Sequence, residues 1–193
     1  MKTELHVLGI AGSLREASYN RALLRSAQAL APTNLTLDIY GELGQIPYYN
    51  EDVRQAGYPK IVQDLRNRIR TADALLIATP EYNLSVPGVL KNAIDWASRP
   101  PDQPLKEKPT AIIGATTGFF GTARAQMHLR QICFSNNQRV VRKPEVLIMR
   151  AQDGKFDEDL RLVDKTARTL LQRLLEALAR LALSQENNEN GRM

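Results

Sequence analysis

Three nearly continuous apolar runs constrain the fold of this chain more than any other feature. They span residues 5–11, 74–79 and 110–115. Strands without polar alternation are typical of a parallel sheet that helices cover on both faces. A fourth run, residues 35–40, alternates apolar and polar residues as an edge strand does, and a fifth spans residues 145–150.

Helical apolar patterns separate and follow these runs. They span residues 20–30, 59–71, 88–98, 122–136 and 157–183. This alternation of strands and helices predicts an open α/β sheet with right-handed crossovers. The leucine series of the last segment would also suit a coiled coil, but it is more typical of a helix face packed on a sheet.

The rest of the chain gives little sign of a second unit. We expect residues 1–183 to form a single domain and the polar tail, residues 184–193, to be disordered. Residues 41–58 form the longest irregular stretch, and loops of that length usually serve a site or an interface.

Composition and charge exclude several classes of protein. The net charge is +5, but the 26 basic residues are interspersed with 21 acidic ones, which disfavours a dedicated nucleic-acid surface. This modest surplus suits small anionic ligands equally well, and charge alone does not separate these partners. No apolar run approaches the roughly 20 residues that span a bilayer, and the N-terminus lacks a signal layout. The single cysteine, Cys133, excludes an internal disulfide and a multi-cysteine metal site. We therefore expect a cytoplasmic protein without a membrane segment or a resident metal.

The loop after the first run, residues 12–20, has the features of an anion site. A helix N-terminus offers unpaired N–H groups, and Arg15 adds a donor fork that matches phosphate oxygens. Alternatively, Ser18 or Asn20 simply caps the next helix. The loop lacks the glycine patterns of dinucleotide and ATP sites, so a terminal monophosphate fits best.

Two further loops lie where a parallel sheet places its ligands, after the third and fourth strands. In the first, Pro80 stiffens the strand exit, and the backbone from Glu81 to Asn83 either binds a planar heterocycle or forms an ordinary polar turn. In the second, residues 115–124, Phe119 and Phe120 either cover a flat ring or cover core.

The residues whose types are common in catalysis do not form a catalytic motif in this sequence. His128 and Cys133 lie in a helical pattern without a partner motif, which favours surface or core roles for both. His6 alternates within the first strand and is expected to be structural.

Three motifs together resemble a known family. They are GSLREASYN at residues 12–20, PEYNLSVPGVLKNAIDW at residues 80–96 and GFFGTAR at residues 118–124. They are similar to the NAD(P)H-dependent FMN reductase family, nearest in pattern to the bacterial quinone and chromate reductases and the azoreductases. The similarity runs from about residue 5 to about residue 144. Close relatives often have G-G-A-R where this chain has Gly121-Thr-Ala-Arg124, so Thr122 adds a side chain near the ring-proximal loop.

The resemblance implies a flavodoxin-like three-layer sandwich with a five-stranded parallel sheet of order 2-1-3-4-5. It also implies bound FMN, NADPH or NADH as co-substrate, and a homodimer or a dimer of dimers (a homotetramer). By resemblance, the FMN phosphate would contact Ser13, Arg15, Ser18, Tyr19 and Asn20. Pro80, Glu81, Tyr82 and Asn83 would line the ring edge. Thr117, Gly118 and Arg124 would complete the pocket or a subunit contact near it.

The implied activity is hydride transfer from NAD(P)H through FMN to quinones or similar small acceptors, with azo compounds, chromate and free flavin also open. No catalytic side chain is expected, because the flavin carries the chemistry. The alternative is a flavodoxin-type electron carrier. Such carriers are strongly acidic and hold phosphate with hydroxyl-rich loops, so this basic chain with Arg15 disfavours that alternative.

Overall fold

The computed structural model of the protein describes residues 3–190, of which residues 185–190 are described by their backbone only. Six strands form one sheet. They are β1 (Leu5–Ala11), β2 (Leu35–Tyr40), β3 (Ala74–Ala78), β4 (Pro109–Ala115), β5 (Arg139–Val140) and β6 (Val146–Ile148). The helices are α1 (Tyr19–Leu30), α2 (Glu51–Ala56), α3 (Lys60–Thr71), α4 (Gly88–Ala97), α5 (Ala123–Ser135) and α6 (Lys165–Asn190).

The sheet is parallel throughout and has the order β2-β1-β3-β4-β5, which confirms the expected topology. One detail differs from the five predicted strands, because the fifth position is shared by two short ones. Strand β5 pairs with Pro109 and Thr110 at the start of β4, whereas β6 pairs with Ile113–Ala115 at its end. A strand of two residues has no apolar periodicity, so β5 could not be predicted from the hydrophobic pattern.

Successive strand residues enter two different apolar clusters, one on each face of the sheet. Val7 and Leu76 pack with α1 and α6, whereas Leu8 and Ile77 pack with α3, α4 and α5. Because side chains alternate along a strand, this arrangement requires apolar residues at consecutive positions. The continuous apolar runs therefore correspond to a sheet between two helical layers.

The last helix begins later than the sequence predicted. It starts at Lys165 rather than at residue 157, because the Asp164 carboxylate accepts a hydrogen bond from the Ala167 N–H at 2.8 Å and so caps the helix. Before it, Phe156 pairs with Leu162 in an isolated bridge, and Leu160 has a φ of 58°. The helix continues to Asn190, so the backbone of residues 184–190 is helical where a disordered tail was expected. Residues 191–193 of that tail lie outside the described part.

The stretch of residues 41–58 is less irregular than expected. It contains a short 3-10 helix (Leu43–Gln45) and α2, whose first turn is capped by the Asn50 side chain. The Pro47 carbonyl accepts hydrogen bonds from Asn92 and Trp96 at 2.9 and 2.8 Å, which fixes the stretch to α4. None of the helices within residues 3–190 is long and apolar enough to cross a bilayer.

Candidate functional site

Three loops meet at the carboxyl ends of β1, β3 and β4: loop 1 (residues 12–18), loop 3 (residues 79–87) and loop 4 (residues 116–122). The Gly12 N–H donates to the Ala78 carbonyl at 2.8 Å, and the Thr79 N–H donates to the Ile113 carbonyl at 2.9 Å. A Cβ on Gly12 would lie 3.2 Å from the Pro80 ring, so loops 1 and 3 are in direct contact. Strand order reverses between β1 and β3, which is where open α/β sheets bind their ligands.

Loop 1 contains one free cationic group at a helix start. Arg15 is exposed, donates to the Ala17 carbonyl at 3.2 Å, and has no carboxylate partner within residues 3–184. The Ser18 hydroxyl accepts from the Asn20 and Arg21 N–H groups at 3.2 and 3.4 Å, so Ser18 is the cap of α1. Ser13 is buried and lines a cavity of about 220 Å³ that also reaches β2.

The Asn20 side chain is paired with the backbone at the end of β4. Its buried amide nitrogen donates to the Ala115 carbonyl at 2.9 Å, and its amide oxygen accepts from the Ala115 N–H at 3.0 Å. Asn20 therefore joins the start of α1 to the end of β4. The Tyr19 ring packs on Phe156, with 5.0 Å between the ring centroids.

Loop 3 carries a tight turn that presents Tyr82 and Leu84 to solvent. Tyr82 and Ser85 exchange two backbone hydrogen bonds of 3.1 and 3.0 Å. Between them, Asn83 and Leu84 have φ values of 49° and 63°, as in a type I′ turn. A leucine with positive φ is uncommon, and such strained residues cluster at functional sites.

Glu81 and Arg124, which were predicted to contact the cofactor separately, form an ion pair with each other. The Glu81 side chain is 8% exposed, and its Oε1 lies 2.5 Å from an Arg124 terminal nitrogen. The same carboxylate accepts from the backbone N–H groups of Arg124 and Ala125 at 3.1 and 3.2 Å. Glu81 therefore caps α5, where a carboxylate meets both the free N–H groups and the positive end of the helix dipole.

The extra side chain at Thr122 points into the protein. Thr122 has a φ of 69° and is fully buried, and its hydroxyl accepts from the Gln126 amide at 3.2 Å. A Cβ on Gly114 would lie 1.9 Å from the Thr122 hydroxyl, so this threonine packs directly on the glycine of β4. The side chain that distinguishes this chain from the G-G-A-R pattern is therefore directed into the core and not toward solvent.

Phe119 and Phe120 cover no core, since they are 71% and 60% exposed. The Arg124 guanidinium lies 4.1 Å from the Phe120 ring centroid, which adds a cation–π contact to its ion pair. The preceding residues are held by the chain after β6. The Gly118 carbonyl accepts from the Arg150 N–H at 3.0 Å, and the Thr117 carbonyl accepts from the Gln152 amide at 3.4 Å.

His128 has a partner that the sequence did not reveal. Its Nδ1 lies 2.9 Å from the Ser85 hydroxyl, which links α5 to loop 3. Cys133 is buried, and burial raises the pKa of its thiol to about 12, so it is not a nucleophile near neutral pH. Within the described residues, no group of three or more metal-binding side chains occurs.

A parallel sheet of order 2-1-3-4-5, with an arginine-bearing loop after β1 and loops 3 and 4 at the same edge of the sheet, defines a flavodoxin-like α/β protein. The flavoenzyme NAD(P)H:(acceptor) oxidoreductase of Paracoccus denitrificans superimposes with a TM-score of 0.84 at 35% identity, covering 93% of this chain and 98% of that one. Residues 5–153 match the family model described as NADPH-dependent FMN reductase, and the chain belongs to that family.

Two sequence relatives agree with this assignment. An NAD(P)H-dependent FMN reductase of Pseudomonas aeruginosa is 53% identical over 178 residues, which are 92% of this chain and 95% of that protein. A quinone reductase of Escherichia coli is 45% identical over 148 residues, 76% of this chain and 79% of that protein. The predicted family, the flavin cofactor and the oxidoreductase class are confirmed, and nothing supports the electron-carrier alternative.

Proposed function

We propose that this chain reduces quinones or similar small acceptors with NADPH or NADH through FMN held between loops 1, 3 and 4. The observation that carries the proposal is the Arg15 guanidinium, which stands at the start of α1 without a carboxylate partner among the described side chains. A guanidinium at the positive end of a helix dipole fits a terminal phosphate monoester. The donor set of loop 1 thus suits FMN.

Ser13 and Arg15 are the loop 1 side chains that we assign to the phosphate. Ser18 supports them by fixing the first turn of α1, since its hydroxyl is engaged by two backbone N–H groups. Asn20 supports them indirectly, because its amide is committed to Ala115. Tyr19 is proposed to keep the loop in place through its contact with Phe156.

The isoalloxazine ring would lie between loops 3 and 4. Backbone groups of residues 80–83 would contact its polar edge, and Thr117 and Gly118 would contact it from loop 4. When bound, FMN supplies the two-electron chemistry that accepts hydride and passes it on. The chain's own task is to hold these loops in place, and the Glu81–Arg124 ion pair contributes by fixing loop 3 to the start of α5, which directly follows loop 4.

Quinones are the acceptors we favour, because a quinone reductase is among the relatives. Azo compounds, chromate and free flavin are further candidates, since an exposed reduced ring is open to each. We also propose a homodimer or a dimer of dimers, because large apolar side chains surround the proposed ring site in exposed positions. They are Tyr82, Leu84, Phe119, Phe120 and Met127. A cytoplasmic location and a single functional unit over residues 1–183 remain proposals from the sequence.

Steady-state turnover tests the proposed function directly. The FMN-loaded protein is mixed with NADPH or NADH and with benzoquinone, an azo dye, chromate or free FMN as acceptor. We expect ping-pong kinetics and the highest kcat/KM with the quinone. Flavin that binds without NAD(P)H oxidation in the presence of any acceptor would overturn the enzymatic proposal in favour of a carrier.

A further inference from the structure

A second cavity, far from the three loops, has an unusual concentration of positive charge. Its volume is about 920 Å³, and it lies between α5, the edge strand β5 and α6. Strand β5 pairs with Pro109 and Thr110, which begin β4, so the cavity lies toward the opposite end of the sheet from loop 4. We call it the basic groove. Five cationic side chains line it: Arg130, Arg139, Arg142, Lys143 and Arg180.

Three of these cations lack a carboxylate partner within residues 3–184. Arg130 donates to the Val141 carbonyl at 3.0 Å, and Arg139 donates to the Ser184 hydroxyl at 2.8 Å. Arg142 is exposed and forms no ion pair with the described side chains. Each guanidinium therefore keeps donors free. The acid that acts on this set is Glu145, whose pKa is lowered by its hydrogen bond to Lys143 and, to a smaller extent, by the charge of Arg130.

The other two cations are only partly neutralised. Lys143 forms an ion pair with Glu145 at 2.8 Å, and Arg180 lies 3.9 Å from Glu176. Both ion pairs are exposed to solvent, so the attraction between their partners is weak. Among the side chains that the structure describes, the groove consequently has a net positive charge even when Glu145 and Glu176 are included.

Apolar side chains form the rest of the wall, which distinguishes the groove from an ordinary solvated charged face. Phe134 is 86% exposed, and Val140, Ala177 and Leu181 are partly exposed within the same cavity. Pockets of several hundred Å³ that combine an apolar wall with a few convergent polar groups are typical of small-molecule sites. A fully hydrated inorganic ion would not remove this apolar surface from water, whereas an organic ligand would.

We propose that the basic groove binds a small organic anion, with a flat apolar body and a phosphate or carboxylate group. The body lies on Phe134 and Leu181, and the anionic group lies between Arg139 and Arg142. Both acids match the guanidinium fork, so the geometry favours this shared chemistry. Because Arg130 belongs to α5, whose N-terminus holds Glu81, the groove and loop 3 share one helix.

Isothermal titration of the FMN-loaded protein tests this proposal with three probes: 1-naphthyl phosphate, 2-naphthoate and uncharged 2-naphthol. We expect the two anions to bind with one site per chain, and naphthol to bind at least tenfold more weakly. The ratio of the two anion affinities tells whether phosphate or carboxylate is preferred. Equal binding of naphthol would overturn the role of the cations.

The double variant R139Q/R142Q locates the site. We expect it to bind 1-naphthyl phosphate at least about 30-fold more weakly, because each charge-assisted contact is worth roughly tenfold or more. The exposed α1 variant Arg25→Gln is the matched control and should bind as the parent does. Unchanged affinity in R139Q/R142Q would refute the proposal. The proposal would also be refuted if R139Q/R142Q lost oligomerisation while its anion affinity was unchanged. It would be refuted as well if the parent protein bound RNA but neither of the two naphthyl anions.

Discussion

The Glu81 carboxylate caps α5 and at the same time pairs with the guanidinium of Arg124, the second residue of that helix, at 2.5 Å. This pairing joins loop 3 to the start of α5, which directly follows loop 4, across 43 positions of sequence. It requires no ligand, so the position of loop 3 relative to α5 is set before FMN binds. Pre-organised sites of this kind lose less entropy on binding.

Substituting Glu81→Gln should therefore lower both stability and FMN affinity. The amide keeps the shape of the side chain but loses the charge that two backbone N–H groups and a guanidinium share. We expect unfolding in urea to lose about 1–3 kcal/mol, the usual range for a buried charged hydrogen-bond partner. The exposed residue Glu158 provides the control, and Glu158→Gln should change neither quantity. Equal losses in both variants would contradict the role given to Glu81.

Arg15→Ala should weaken FMN binding without lowering the stability of the FMN-free protein. Loss of a charge-assisted phosphate contact of roughly 1.5–3 kcal/mol corresponds to about 10- to 100-fold in Kd. Riboflavin lacks the phosphate, so its affinity should be the same for parent and variant. Fluorescence quenching of each flavin measures both constants. A parallel loss of riboflavin affinity would place Arg15 at the ring instead.

The sequence predicted the sheet well because its signal is local. Consecutive apolar residues in β1, β3 and β4 face opposite helical layers, and that requirement is visible in any short window. The positions of loops 1, 3 and 4 followed from the same signal, since parallel strands present their carboxyl ends to one edge.

Side-chain partners were much less predictable. Asn20 looks like a phosphate ligand in its motif, yet its amide is paired with Ala115, which lies 95 positions away. The Glu81–Arg124 pair and the Ser85–His128 contact also join separate segments. A motif fixes which residue types are present, whereas the packing of α5 against loop 3 decides which of them meet.

The buried thiol of Cys133 predicts a loss of stability at high pH. Burial raises the pKa of the Cys133 thiol to about 12 from an ordinary value of 9.0. The unfolded chain loses this proton above about pH 9 while the folded chain keeps it, so the unfolding free energy falls between about pH 9 and 12. In urea unfolding measured at several pH values, the unfolding free energy of Cys133→Ala should fall less steeply with pH than that of the parent protein. Burial also raises the pKa of Tyr40 to about 12. Tyr40 is present in both the parent and Cys133→Ala, so its contribution cancels when the two slopes are compared. Identical slopes would show that Cys133 does not contribute.

Gly114→Ala tests the packing between β4 and loop 4. The new Cβ would lie 1.9 Å from the Thr122 hydroxyl and 2.6 Å from the Thr79 carbonyl, so both loops must shift. Overpacking of this kind usually costs about 1–3 kcal/mol, and we expect the upper part of that range because one neighbour is backbone. Gly41→Ala is the matched control, since nothing lies within 4 Å of its Cβ.

Removing the Thr122 side chain in the double variant Gly114→Ala, Thr122→Gly separates the two clashes. It relieves the contact with the hydroxyl but leaves the one with the Thr79 carbonyl, so stability should recover only in part. Because Thr79 begins loop 3, FMN affinity should stay reduced even where stability has partly returned. Full recovery of both stability and FMN affinity would mean that the clash with Thr122 is the sole reason why position 114 requires glycine. Loop 3 would then be independent of the packing beneath loop 4.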